Sequence, residues 1–237
     1  LGACAVTYLL LFDEGRAIQQ VQLDSLRAKA DPLVVKECQR LAQTIQGLPS
    51  HQRLPLMELA MPGLRQLSPG QRTQMKEMMT ALILADSEVS LYEFCIRTYA
   101  ENAFSGMMAP ARGTRVKHAK LRGLVNDFSE VLSALAHAGH DVVSEAQEAF
   151  DAGRATLPLA LSKLIQFEPP GDREFVRLSR AMGRLRAAAP SVKEQLLGAC
   201  IASVMRDDLI SAGEANLLRV ICFSLSIPLP PRFSAPD

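Results

Sequence analysis

At 237 residues the chain can bury one large core or two small ones. Its 26 Lys and Arg balance 25 Asp and Glu, which excludes a global field pointing to nucleic acid or an acidic tail. Apolar residues reach 48% but Trp is absent and Phe and Tyr total only nine and three, so Leu, Ala and Met must supply the core, favouring helix over sheet.

The opening run Leu1 to Phe12 is apolar, too short to span a bilayer and not preceded by a basic segment, so it predicts a core helix. A start at Leu rather than Met is read as the mark of a fragment of a longer polypeptide. Asp13 is placed to cap a helix running to about Ala30. Asp31-Pro32 combines a cap with a first-turn proline and opens a helix ending near Gly47. Residues 50–61 predict a short helix interrupted by Pro62-Gly63. Ser68-Pro69-Gly70-Gln71 is a capping-box start, and Met75, Met78, Met79, Leu82 and Ile83 follow as a stripe at helical spacing. Leu91, Phe94 and Ile96 are the apolar members of the next helix.

Gly106, Pro110 and Gly113 mark 105–114 as an exposed loop, after which a helix of about 25 residues is expected from near Val116 to Gly139. Two shorter helical pieces precede a break at Pro169-Pro170-Gly171, and Pro228-Leu229-Pro230-Pro231 closes the chain as an extended tail. No run alternates cleanly enough to require a strand, so the fold class is all-α. The expected organisation is an N-terminal helical hairpin at 1–48 packing on a main helical domain at 49–237, which carries an insert at about 105–170.

The most informative feature is a repeated motif. Asp86 to Glu93 and Asp207 to Glu214 share the pattern Asp-x-x-[Val/Ile]-Ser-x-x-Glu, and each follows a helix opened by a proline, Pro69 and Pro190. From 69 to 190 and from 86 to 207 the offset is the same 121 residues, so two helix-loop-helix units are expected to repeat. Ser90 with Glu93, and Ser211 with Glu214, have the spacing of a capping box, and Val89 and Ile210 stand where a hydrophobic staple belongs. The leading aspartates are not explained by capping, since an acid at the end of a preceding helix opposes its dipole. Each should therefore have a partner, which is a cation, an arginine or the amides of the next helix; the functional alternative is a cation site formed by Asp86, Glu93, Asp207, Asp208 and Glu214, because hard cations prefer clustered carboxylates. An EF-hand is excluded by the short Asp-to-Glu spacing and the missing mid-loop Gly.

Other chemistry is sparse. The five cysteines, at 4, 38, 95, 200 and 222, include no Cys-x-x-Cys, so reduced, buried thiols and a cytosolic environment are expected. His137 and His140 have a metal-like spacing, but Gly139 breaks the helix between them and no third ligand is fixed beside Asp141. A third reading is an independent enzyme using His137 and His140. His-Glu-x-x-His, the Walker phosphate loop and Gly-x-Ser-x-Gly are all absent. Arg112, Arg115, Lys117, His118, Lys120 and Arg122 form one basic stretch. Arg173, Arg177, Arg180 and Arg184 form a second, on a helix whose other face holds Phe175, Leu178, Met182 and Leu185. That stripe is either a solvated face or a surface for an acidic partner or anionic membrane. No aromatic platforms interleave with the charges, which speaks against nucleic acid.

Ala85-Asp86-Ser87-Glu88-Val89-Ser90-Leu91-Tyr92-Glu93 resembles the Ala-Asp-Gly-x-Ile-x-x-x-Glu signature of the tellurite-resistance TerB-like helical fold. Arg53 to Pro62, Leu67-Ser68-Pro69, Leu132 to His140 and Ile227 to Pro231 resemble a C-terminal region attached to bacterial HtpX-type zinc metallopeptidases. The resemblance implies a TerB-like helical bundle that is a non-catalytic regulatory or protein-interaction domain. Its partner would be its own protease domain or another protein, on the cytoplasmic side of the bacterial inner membrane. It also implies that zinc and the membrane helices belong to the preceding protease domain, so that this chain carries no cofactor and does not itself cleave. Ser87 and Asp208 stand where the signature has Gly, which puts a glycine turn around a cation in question.

Overall fold

The computed structural model describes residues 1–105, 116–171 and 174–233, and within them the fold is all-helical, with twelve α-helices, two 3-10 turns and no strand. The chain divides into two compact units, Leu1–Ala109 and Pro110–Asp237. This division falls after Ala109, inside the 105–170 segment read from the sequence as an insert. The predicted loop residues Gly106, Pro110 and Gly113 lie outside the described residues, as do Arg112, Arg115 and Arg173.

In the first unit α1 (Gly2–Leu10) is the central helix, packed against α3 (Pro32–Gln46) and α4 (Ser50–Arg65). Cys4, Ala5 and Tyr8 to Leu11 are buried, as the apolar opening run predicts, and no described helix is long and apolar enough to cross a membrane. Buried Thr7 satisfies its hydroxyl by donating to Ala3 O at 2.9 Å. The expected interruption of α4 does not occur: the helix runs through both Pro55 and Pro62. Leu54, Met57, Met61 and Leu64 are all buried along it, and that packing outweighs the hydrogen bonds the prolines omit. Gly63 serves helix contact, since a Cβ there would lie 2.8 Å from the Ala3 Cβ of α1.

Asp13 does not cap α2 (Arg16–Lys29). Gly15 holds the N-cap position, and Asp13 accepts the Gly15 N–H in a local turn instead. The junction is held by Gln22, which is 1% exposed. It accepts the Asp13 N–H at 2.8 Å and donates to Leu11 O and Leu82 O at 2.9 Å each. Asp31 caps α3 by accepting the Leu33 N–H at 2.8 Å, as expected. Ser68 and Gln71 form the expected capping box of α5 (Pro69–Ile83), whose methionine stripe is buried. The last described helix of the unit is α6 (Leu91–Phe104), on which Phe94 and Ile96 are buried.

The first described residues of the second unit, 116–120, are extended and do not begin a long helix. The Lys117 and His118 N–H groups donate to Ala187 O, and His118 O accepts the Ala189 N–H, so this backbone is committed to a bridge. A 3-10 turn (Leu121–Leu124) then leads into α7 (Val125–Gly139), which is fifteen residues long. Phe128, Val131, Leu132 and Leu135 are fully buried on it, and it packs against α8 (Val143–Ala155), α10 (Glu174–Leu185), α11 (Pro190–Val204) and α12 (Ala212–Leu225). The short α9 (Leu159–Ser162) precedes an irregular segment docked on α7, where Ser129 and Ser133 accept the Gln166 and Glu168 amides at 3.0 and 2.9 Å.

Helices α5 and α11 each have fifteen residues, and α6 and α12 each have fourteen. Both pairs start 121 residues apart, from 69 to 190 and from 91 to 212.

Candidate functional site

Each copy of the motif joins two helices by the same local geometry. At the end of α5, Asp86 accepts the Glu88 N–H at 3.1 Å; at the end of α11, Asp207 accepts the Leu209 N–H at 3.0 Å. The intervening residues lie in the left-handed region, Ser87 at φ 67° and Asp208 at φ 59°. Each leading aspartate thus closes a tight turn around a left-handed residue, which supplies the role that capping leaves open. The next helix starts at a serine. Ser90 accepts the Glu93 N–H at 3.2 Å while Glu93 accepts the Ser90 N–H at 2.8 Å; the same pair of bonds in the second copy measures 3.1 and 2.9 Å between Ser211 and Glu214. The staple is weaker than the pattern suggests in the second copy, where Ile210 is 41% exposed.

A residue with a Cβ in the left-handed region is strained by about 1 kcal/mol relative to the right-handed one. Ser87→Gly is therefore expected to raise stability by about 0.5–1 kcal/mol, and Asp208→Gly by less, because Asp tolerates this region better. Denaturant melts of the two variants check this ordering.

The two capping glutamates differ in setting. Glu214 is only 3% exposed and stands against Gly139, where a Cβ would collide with its carboxylate. Gly139 thus ends α7 and also leaves room for Glu214. Burial raises the carboxyl pKa of Glu214, opposed by hydrogen bonds from Ser211 and by His140. Burial likewise raises that of Glu93, opposed by Ser90. Because the folded pKa is raised, this contribution to stability is fully present below the unfolded glutamate value and is lost as pH rises through the folded one. Gln71 shows that an amide serves the same box in α5. Glu214→Gln should therefore fold at least as stably as the natural chain near neutral pH and flatten this pH dependence. Glu214→Ala should lose about 1–2 kcal/mol by orphaning the Ser211 amide. Thermal melts across the acidic range distinguish the two.

The carboxylates proposed as cation ligands are already hydrogen-bonded to their own loops: Asp86, Glu93, Asp207 and Glu214 each accept a backbone amide. Asp208 is exposed at the tip of its turn. Among the described residues no three or more His, Cys, Asp or Glu side chains are grouped to hold a metal ion. The histidines are engaged separately. His137 Nε2 lies 3.1 Å from Glu168 O with its ring tilted against Phe167 at 4.8 Å, and His140 Nδ1 lies 3.9 Å from Glu145.

The arginine stripe of α10 is partly internal. Arg177 pairs with Glu130 at 3.2 Å, and Arg184 pairs with Asp127 at 3.1 Å and donates to Gly123 O at 2.9 Å, so both tie α10 to the α7 region. Arg180 is exposed. Sequence reasoning missed the aspartate turns although their signal, an Asp two residues before the amide it accepts, is present in both copies. It also missed Gln22, for which no local pattern exists.

No protein family, curated protein or solved structure compared with this chain matches it.

Proposed function

We propose that this chain is a non-catalytic helical interaction module of the TerB-like kind, accompanying an HtpX-type zinc metallopeptidase on the cytoplasmic side of the bacterial inner membrane. The observation that carries this reading is the left-handed residue behind each leading aspartate, Ser87 and Asp208. The TerB-like signature has Gly at that position, and left-handed backbone is the physical reason a family would keep Gly there. The matched lengths and spacing of α5–α6 and α11–α12 support reading them as two copies of one helix-loop-helix unit. Zinc chemistry does not fit the residues of this chain, which lacks His-Glu-x-x-His and engages His137 and His140 in separate contacts with Glu168 O and Glu145.

The test has two parts. The purified chain should leave casein intact with or without added zinc, and should bind a detergent-solubilised HtpX-type protease domain that lacks it. Zinc-dependent cleavage by the chain that survives removal of contaminating proteases, or no association with the protease domain, would overturn the reading.

A further inference from the structure

We infer that the end of the second unit formed by the α7–α8 junction and the 207–211 loop is a docking surface for a basic amphipathic peptide segment of another protein. The inference deepens the interaction-module reading by naming the kind of partner. Four aliphatic side chains stand in solvent there: Val142 is 53% exposed, Val143 60%, Leu209 73% and Ile210 41%. The two loops are held side by side, because Ser211 Oγ donates to Ala138 O at 3.4 Å, Glu214 packs on Gly139, and Arg206 pairs with Glu148.

Neither the turn nor the start of α8 depends on the side chains of Leu209 and Val142. The motif builds the same turn in the first unit with Glu88 in the place of Leu209, and the Leu209 backbone amide, not its side chain, makes the turn contact. Val142 occupies the N-cap of α8 and forms no side-chain cap, a position where polar residues are strongly preferred. Exposed aliphatics that serve neither core nor cap, joined by the 41% of Ile210 that its staple position leaves in solvent, mark an interaction surface.

Charge identifies the partner. Of the acids in segments 138–148 and 205–214, Glu214 is buried and Glu148 is paired with Arg206, which leaves Asp141, Glu145, Asp207 and Asp208 exposed on this end with no lysine in either segment. An acidic rim around an aliphatic centre repels anionic lipid and a second copy of the same face. It complements a helix with an apolar stripe flanked by Lys or Arg.

The probe is a fluorescein-labelled amphipathic Leu/Lys helix of about 18 residues, long enough to form several turns, titrated with the full chain at physiological ionic strength. Saturable binding is expected. Both L209S, which removes an anchor, and D208N, which removes charge but tolerates the left-handed backbone, should weaken it by about fivefold or more. Leu59→Ser, at a side chain 79% exposed in the first unit, should leave it unchanged. Unchanged melting temperatures establish that the variants remain folded. The inference is overturned by absence of saturable binding, by equal binding to L209S, by preference for a Leu/Glu helix or anionic vesicles, or by self-association of the chain that L209S abolishes. Binding to the protease domain that persists in L209S separates failure of this surface from failure of the module reading.

Discussion

Replacing Gln22 by Leu is expected to destabilise the first unit by about 3 kcal/mol or more, although the side chains are similar in size. Gln22 is buried and fills three hydrogen-bonding roles at once: it accepts from Asp13 and donates to the carbonyls of Leu11 and Leu82. Those carbonyls terminate α1 and α5, where helix ends already have orphan acceptors. Leucine leaves the Asp13 N–H and the Leu11 C=O unpaired and removes one of the donors to Leu82 O, which keeps the Ala85 N–H, at the meeting of three helices. The exposed neighbour Gln20, which bonds only Asp24 on its own helix, provides the control, and Gln20→Leu should stay within about 0.5 kcal/mol of the natural chain. Urea denaturation with hydrogen exchange at α2 and α5 reads the difference. Equal effects of the two substitutions would show that the buried amide is not what holds the junction.

The second large effect lies in the other unit. A Cβ on Gly153 would fall 2.6 Å from Ala199 O, 3.2 Å from Ser203 Cβ and 3.3 Å from Leu132 Cδ2, so α8 cannot lie where it does against α11 with any larger residue. The closest of these atoms is backbone and cannot rotate away. Gly153→Ala is therefore expected to cost about 2–3 kcal/mol through displaced helices. Gly198 makes the contrast, since it sits in the interior of α11 with nothing within 4 Å of a Cβ. Gly198→Ala should raise stability by about 0.5–1 kcal/mol through helix propensity alone. Thermal melts of the two variants should move in opposite directions, and movement in the same direction would contradict the close α8–α11 approach.

These two positions show which features the sequence carries and which it does not. Helix identity is local: the caps at Asp31, Ser68, Ser90 and Ser211 and the methionine stripe are all where pattern alone puts them. The errors arise where a distant partner decides. Pro62-Gly63 looks like a break, but its glycine admits α1 and its neighbours are buried, so α4 continues. Val116 to Lys120 looks helical until Ala187 and Ala189 take its backbone hydrogen bonds. Arg177 and Arg184 look like a free basic face, yet their partners Glu130 and Asp127 lie 47 and 57 residues earlier in the sequence and meet them only through the fold; no spacing rule reveals such partners.

The candidate loops were legible in their capping residues and not in their aspartates. A leading acid after a helix suggests a cation when only charge is considered. The geometry gives it a backbone amide instead, and the left-handed residue beside it explains the shape of the turn. The motif is thus a turn and a cap joined in series, used twice.

Calorimetric titration of the chain with calcium, magnesium and zinc, with melting temperature followed in parallel, tests that claim most directly. A cation bound with a dissociation constant a hundredfold below its concentration would stabilise the fold by about 2.7 kcal/mol. The expected result is no saturable heat and no rise in melting temperature at millimolar metal. Saturable binding that disappears in the Asp86→Asn, Asp207→Asn double variant, which keeps both turn acceptors and removes both charges, would contradict it.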